Sequence, residues 1–392
     1  MTKVKKYKTV GIDDANAAKK QVETGLMSGF VGAPGEEFYG GASIKLFEKN
    51  CADKFGYQYA ISVNSWTSGL LLMLQALEKD SGEVIVTPWT MSATVMTIIQ
   101  AGLIPVFVDI DKESFMPNPH DVLNKVTSKT VAVMMADIFG QCYPFEELNK
   151  LRSSGIILLS DGAQAHAATR FGNQLGYGAD MTGISFNRHK HVNTGEGGVI
   201  LTNNSRFSEF CYRARNHGEN FNEDGQDFLN LFGYNFRLTE TQAEVGIIQL
   251  EQMDKQVKKR RKLGALACNK LKNNAKFMSP SPLEGNEHSY YIVPLIIKLD
   301  GFNSDSRALL NSKLQSLGWP SLSEGYVNVH KLPMFHSKKN LTNKFHHLVT
   351  KPVLPNAEEL HDKTFMGIMT CNYDFTEDLL DEYLEIIDKI LS

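Results

Sequence analysis

Ile156-Ile157-Leu158-Leu159-Ser160-Asp161-Gly162-Ala163-Gln164 is the stretch on which the reading of the fold turns. Four consecutive apolar residues with no polar alternation read as a strand buried on both faces, the mark of a parallel sheet covered by helices. Val84-Ile85-Val86 has the same character. Outward from these runs, β-rich segments at residues 59–63, 84–87, 105–109, 131–135, 156–159, 181–186 and 199–202 alternate with helical patterns at 68–77, 93–101, 145–152 and 206–215. Strands alternating with helices predict βαβ units, and hence an α/β fold with a mostly parallel sheet flanked by helices.

The pattern changes beyond residue 238. A long helix-compatible stretch without proline runs to about residue 272, followed by a strand at 290–299 and helices at 305–317 and 379–391. This is the composition of a smaller α+β domain. The division reads as residues 1–255, a large ligand-binding domain with an N-terminal arm, and 256–392, a small C-terminal domain. The long helix carries Lys255-Gln-Val-Lys-Lys-Arg-Arg-Lys262, but Glu240, Glu244, Glu251 and Asp254 flank it. A solvated helix face explains this run better than a nucleic-acid patch.

The chain has 392 residues, 42% of them hydrophobic and 22% charged, with a net charge of −3. A large core is therefore expected, and nothing in the balance points to nucleic acid or membrane. The basic N-terminus lacks the apolar stretch of a signal peptide, and no run approaches the roughly 18 apolar residues of a membrane span. Five widely spaced cysteines, none in a C-x-x-C pair, read as reduced thiols. A cytoplasmic location is the expectation.

The chemistry is concentrated in Ser185-Phe-Asn-Arg-His-Lys190-His-Val-Asn-Thr-Gly195-Glu-Gly-Gly198. A lysine between a strand and a glycine-rich turn can reach over the C-terminal edge of an open sheet, where such folds bind ligands. There its amine is a nucleophile suited to form an imine, or Schiff base, with an aldehyde cofactor. Pyridoxal phosphate (PLP) is that cofactor, and it needs three supports. A carboxylate keeps its ring nitrogen protonated, and Asp161 ends a buried run where an acid needs a partner. Gln164 is placed to orient the ring hydroxyl. The phosphate needs a helix start with small hydroxyls, which Asn64-Ser-Trp-Thr67-Ser68-Gly69 supplies, with Ser185 as a further hydroxyl. The ring face needs a flat or soft neighbour, and Trp89 and Met91 follow a strand end. No metal is expected: His189, His191 and the pair His346-His347 come without carboxylate or cysteine at ligand spacing.

Ser65-x-Thr67-Ser68, Ser160-Asp161-Gly-Ala-Gln164-Ala-His166, the Lys190 segment and Gly233-Tyr-Asn235-Phe-Arg237-Leu-Thr-Glu240 together resemble the DegT/StrS family of PLP-dependent sugar aminotransferases. The resemblance runs from about residue 13 to near the C-terminus and weakens after 270. It implies PLP-dependent transferase fold type I and a homodimer with shared active sites, in which Asn235 reaches the phosphate held by the neighbouring subunit. It also places Tyr326 and His330 near substrate. Two positions depart from the family pattern: Trp66 stands where a small residue is usual, and Met91 where an aromatic commonly stacks on the ring.

The activity this implies is transfer of an amino group from an amino acid, glutamate above all, to a nucleotide-linked keto-sugar in amino-sugar and surface polysaccharide synthesis. One alternative is a sugar 3-dehydratase of the same family, in which histidine replaces the lysine; the register from Ser185 to Gly195 puts Lys190 at the imine position. A non-catalytic relic is the other, and it has no physical need for Asp161, Gln164 and Lys190 together.

Overall fold

A computed structural model of the chain describes residues 3–33, 35–218, 231–335 and 352–392, so the pair His346-His347 lies outside it. In chain order the strands begin β1 (Tyr59–Val63), β2 (Glu83–Val86), β3 (Ile104–Phe107), β4 (Thr130–Ala136) and β5 (Ile157–Asp161). They continue as β6 (Thr169–Arg170), β7 (Asn173–Gln174), β8 (Met181–Ser185) and β9 (Gly198–Thr202). Seven of these form one sheet in the order β1-β9-β8-β5-β4-β2-β3. Within it β9 runs antiparallel to both neighbours, while the β8-β5-β4-β2-β3 pairs are parallel. The strands expected from continuous apolar runs therefore occur where the sequence places them, with ends shifted by a residue or two.

Parallel strands need crossover connections, and helices supply several of them. α1 (Ile12–Glu23) and α2 (Ala42–Phe55) precede β1, α3 (Trp66–Gln75) follows β1, and α4 (Ser92–Gln100) follows β2. After α5 (Pro119–Asn124) and α6 (Ser205–Arg215) comes the long α7 (Glu240–Leu271). The first two helices had no counterpart in the sequence reading. For α1 the reason is visible: it buries Asp14 and Gln21 rather than an apolar stripe, and docks on α7 through Gln249 Nε2 donating to Asp14 Oδ1 at 2.7 Å.

The C-terminal region contributes β10 (Phe277–Met278), β11 (Asn286–Glu287), β12 (Val293–Ile297) and β13 (Phe365–Ile368). β12 lies between β10 and β13 in an antiparallel sheet, whereas β11 joins the β6-β7 ribbon. α8 (Ser304–Ser316), α9 (Pro355–Glu359) and α10 (Glu377–Ile390) complete the described elements of this region. The expected boundary at 255/256 falls inside α7, which joins two cores. Its Leu250, Met253 and Val257 pack with α2 and the sheet, and its Leu263, Ala267 and Leu271 pack with β12, β13 and α10. Val4 belongs to this second core, so the chain's beginning lies against its end.

The parallel strands end along one edge. β2, β4, β5 and β8 deliver Thr87, Asp137, Asp161 and Ser185 there. Beside that edge, β1 is locked by a buried ion pair. Arg215 Nη1 donates to Glu48 Oε1 and to Ser62 O (2.9 Å), and Glu48 Oε1 also accepts from Ser62 N (2.8 Å) and Ser62 Oγ (2.7 Å). Removing one partner leaves the other charge buried and unpaired. Glu48→Ala should therefore lower unfolding stability by about 3–5 kcal/mol in urea denaturation, whereas an exposed pair such as Lys49–Asp53 should contribute about 0.5 kcal/mol or less. Equal midpoints for Glu48→Ala and Asp53→Ala would refute this ranking.

Candidate active site

Lys190 follows β8 in a tight turn closed by its own N–H to Asn187 O at 2.8 Å. Its amine lies 4.5 Å from the centre of the Tyr291 ring, within a cleft of about 350 Å³ at the strand ends. Volumes of this order are typical of cofactor sites. Burial pushes the Lys190 amine down to about 8, against the opposing pull of Asp161 and Cys371. The same cleft is lined by Ser65, Trp66 and Thr67, by Met91 and Thr94, by Asp161, Gln164 and Ser185, and by Tyr326.

Asp161 ends β5 and is 6% exposed. Its Oδ1 accepts from Trp66 Nε1 at 2.7 Å and from Ala163 N at 3.2 Å, and its Oδ2 accepts from Thr94 Oγ1 at 2.7 Å. Thr94 spends its proton on Asp161, so Thr90 Oγ1, 2.8 Å away, must donate to Thr94. The carboxylate thus faces three donors contributed by α3, α4 and its own turn. Asp137, at the end of β4, is the neighbouring carboxyl. Burial pushes it up to about 7, and the nearby Asp161 adds to that. It accepts from Ser160 Oγ (2.6 Å) and Tyr143 N (2.7 Å).

Gln164 is clamped at both ends of its amide. Its Oε1 accepts from Phe139 N at 2.9 Å, and its Nε2 donates to the Tyr326 hydroxyl. Phe139 has φ +59°, a left-handed conformation that costs a non-glycine residue free energy and is held by its surroundings. There its carbonyl accepts from Tyr291 N at 2.9 Å, so one strained residue ties Gln164 to the segment that packs on Lys190.

At the start of α3, Ser65 caps the helix by accepting from Ser68 N at 3.1 Å, and Ser68 Oγ donates to Asn64 Oδ1 at 2.8 Å. The Thr67 hydroxyl has no hydrogen-bond partner among the described residues and faces the cleft, while Ser68 lies one step behind it. Ser185 Oγ accepts from Asn187 N at 3.3 Å at the opposite wall. A helix N-terminus with unspent amides and hydroxyls suits a phosphate, so the residues present fit PLP: amine, carboxylate and anion cradle share one cleft.

Other expected residues lie elsewhere. Trp89 does not reach the cleft; it is 2% exposed and packs on Phe115 (6.1 Å between ring centres) and Phe365 (5.3 Å) in the core. The large apolar ring is worth more in that aromatic cluster than at a wet rim. Met91 does line the cleft and is 60% exposed. Asn235 is exposed and outside the lining; its carbonyl accepts from Asn64 Nδ2 at 3.2 Å and its Oδ1 from Arg237 Nε at 2.8 Å. Tyr326 reaches the cleft, but His330 does not: its Nε2 pairs with Glu358 Oε1 at 3.0 Å and its ring packs on Phe107. His191 is fully buried, with Nε2 donating to Ser289 O at 3.2 Å, whereas His189 lies on the cleft wall. Among the described residues no cluster of His, Cys, Asp or Glu could hold a metal ion, and no helix is long and apolar enough to cross a membrane.

The sequence reading missed Thr90, Thr94, Tyr291 and the bond from Trp66. Only the two threonines left a trace, a spacing of four just after a strand end, with Thr90 preceding α4 and Thr94 in its first turn.

The profile of the DegT/DnrJ/EryC1/StrS aminotransferase family matches residues 32–366. GDP-perosamine synthase of Escherichia coli O157:H7 is 30% identical over 76% of this chain and 80% of its own. Among solved structures, an aminotransferase from Psychrobacter cryohalolentis superposes with a TM-score of 0.83 at 25% identity, over 99% of this chain and 98% of that one. GDP-4-keto-6-deoxymannose-3-dehydratase with a trapped PLP-glutamate geminal diamine gives 0.81 at 25% identity, over 97% and 99%.

The depressed Lys190 amine has a kinetic consequence. Reaction of the cofactor-free protein with the PLP aldehyde needs the neutral amine, so its rate should rise with pH to half-maximum near 8, well below the ordinary lysine value of about 10.4. Stopped-flow absorbance would check this; a rate still climbing tenfold per unit above pH 9 would contradict it.

Proposed function

The chain belongs to the DegT/DnrJ/EryC1/StrS aminotransferase family, and from that premise we propose that it transfers the amino group of glutamate to a keto-sugar carried on a nucleotide. The observation that carries this reading is the Lys190 amine in one cleft with the fixed Asp161 carboxylate. PLP, when bound, supplies an aldehyde carbon for the nitrogen and a ring that takes up electrons. Lys190 would hold that aldehyde, Asp161 the ring nitrogen and the start of α3 the phosphate. Gln164, fixed at both ends, has its position set before any ligand arrives. Once free, the Lys190 amine takes the proton from the donor's Cα and returns one to the acceptor carbon, a role its depressed proton affinity suits. Similarity to a perosamine synthase supports the nucleotide-linked substrate.

The 3-dehydratase reading has a solved structure of that activity among its supports. It asks for a histidine in place of the lysine. The register from Ser185 to Gly195 puts Lys190 at that position, and His191 is turned into the core, which supports transamination.

The direct test is a panel of nucleotide-linked keto-sugars with glutamate, followed by formation of 2-oxoglutarate. Lys190→Ala should cut turnover by at least about a thousandfold while the protein remains folded, and borohydride should tag Lys190 in the parent. Comparable turnover in the variant, with the tag on another lysine, would overturn the assignment.

We further propose a homodimer in which Asn235 donates to the phosphate held by the neighbouring subunit. Its Oδ1 accepts from Arg237, and the residue is exposed, so its amide N–H groups are open to a partner. Mixing Asn235→Asp with Lys190→Ala subunits would then give heterodimers with one doubly damaged and one intact site. Activity should reappear on mixing two nearly inactive proteins. If subunit exchange is demonstrated and no activity returns, Asn235 does not reach across.

A further inference from the structure

Trp66 occupies the first position of α3, directly beside the phosphate cradle, and its indole is 6% exposed. Space for the ring is made by glycines of β8 and α3, and a third glycine, on β9, lets the Trp66 backbone approach. A methyl group added at Gly183 of β8 would lie 2.4 Å from the indole, and one at Gly69 of α3 2.7 Å. A methyl at Gly198 of β9 would come within 2.9 Å of Trp66 Cα. The indole is therefore fixed in direction by backbone, which a flexible neighbour could not achieve. Its N–H points at Asp161 Oδ1 at 2.7 Å, a charge-assisted bond.

We propose that Trp66 is a positioning residue that fixes the Asp161 carboxylate for the ring nitrogen of the cofactor. A carboxylate has about four lone-pair sites. Ala163 N, Thr94 Oγ1 and Trp66 Nε1 occupy three, so one remains for the ring N–H, with its direction set by the other three. The indole N–H groups of Trp89 and Trp319 are buried with no partner among the described residues. Among the three indoles, the one that pairs is the one beside the cleft. The proposal rests on Asp161 being the partner of the ring nitrogen.

That asymmetry makes a clean test possible. The chain has three tryptophans, and among the described residues only the Trp66 N–H finds a hydrogen-bond partner. Replacing all three with β-(3-benzothienyl)alanine in a tryptophan-requiring host keeps the ring shapes and deletes that single bond. The cofactor dissociation constant of the stripped protein is then measured by absorbance titration, alongside Trp66→Phe and Asp161→Asn, each alone and with the other change. The analogue and Trp66→Phe should each weaken cofactor binding about tenfold, and Asp161→Asn by more. Adding the analogue to Asp161→Asn should cost nothing further, because the two changes break one interaction. If Asp161→Asn binds the cofactor normally, the ring-nitrogen partner lies elsewhere and both readings fail. If Asp161→Asn weakens binding and the analogue does not, or if their effects simply multiply, Trp66 serves only as packing and the proposal is overturned.

Discussion

A carboxylate buried at the end of a parallel strand is expensive unless donors meet it, and the constraint organises this molecule. Asp161 receives one donor from α3, one from α4 and one from its own turn. Those helices follow β1 and β2, which stand on opposite sides of β5 in the sheet. Satisfying a single side chain therefore draws together elements that the sheet holds apart. The glycines that admit the Trp66 ring belong to the same requirement, since a methyl at Gly183 or Gly69 would lie 2.4 or 2.7 Å from the indole that reaches the acid.

Around that anion the proton affinities are graded. The Lys190 amine is lowered by burial, partly offset by Asp161. His166, with its Nε2 donating to Ser185 O at 2.9 Å, is pushed down to about 3, chiefly by burial and then by Lys190. His191 is driven down by burial and by Arg260. Both imidazoles are thus neutral near pH 7 and do not compete as cations with Lys190 for the carboxylate. Asp137 is raised towards 7, so it can carry its proton where a second full negative charge beside Asp161 would be costly. Lys190 and Asp161 are left as facing opposite charges in the cleft, whose lining also includes the exposed Glu196.

Much of this was legible because the decisive groups sit in short segments that announce their own geometry. The apolar run before Asp161 determines a strand end, and the small polar cluster before Leu70 determines a helix start. Lys190 follows another strand end and precedes glycines. What stayed hidden depends on which way a ring turns after such an end. Trp66 and Trp89 both stand beside strand or helix ends and look equivalent in sequence. Trp89 turns into a cluster built with Phe115 and Phe365, the latter some 276 positions away. Trp66 turns onto Gly183 of β8, more than a hundred residues distant. No local pattern encodes either outcome. α1 was hidden for the opposite reason: its buried face is polar, so it has no apolar period to read.

The two halves of the chain meet at the cleft rather than merely beside it. Tyr291 and Tyr326 come from the C-terminal region, yet one packs on Lys190 and the other accepts from Gln164. The junction runs through Phe139 and Gly140, whose carbonyls accept from Tyr291 N and Ser289 N at 2.9 and 2.7 Å. Phe139 tolerates a left-handed backbone there, and Gly140 has no room for a side chain, since a methyl would lie 2.6 Å from Ser289 Oγ. Backbone strain at this point secures two things at once, the orientation of Gln164 and the approach of the tyrosine wall. The C-terminal region is therefore part of the site, and α7, shared by both cores, is the element that keeps it in register with the sheet edge.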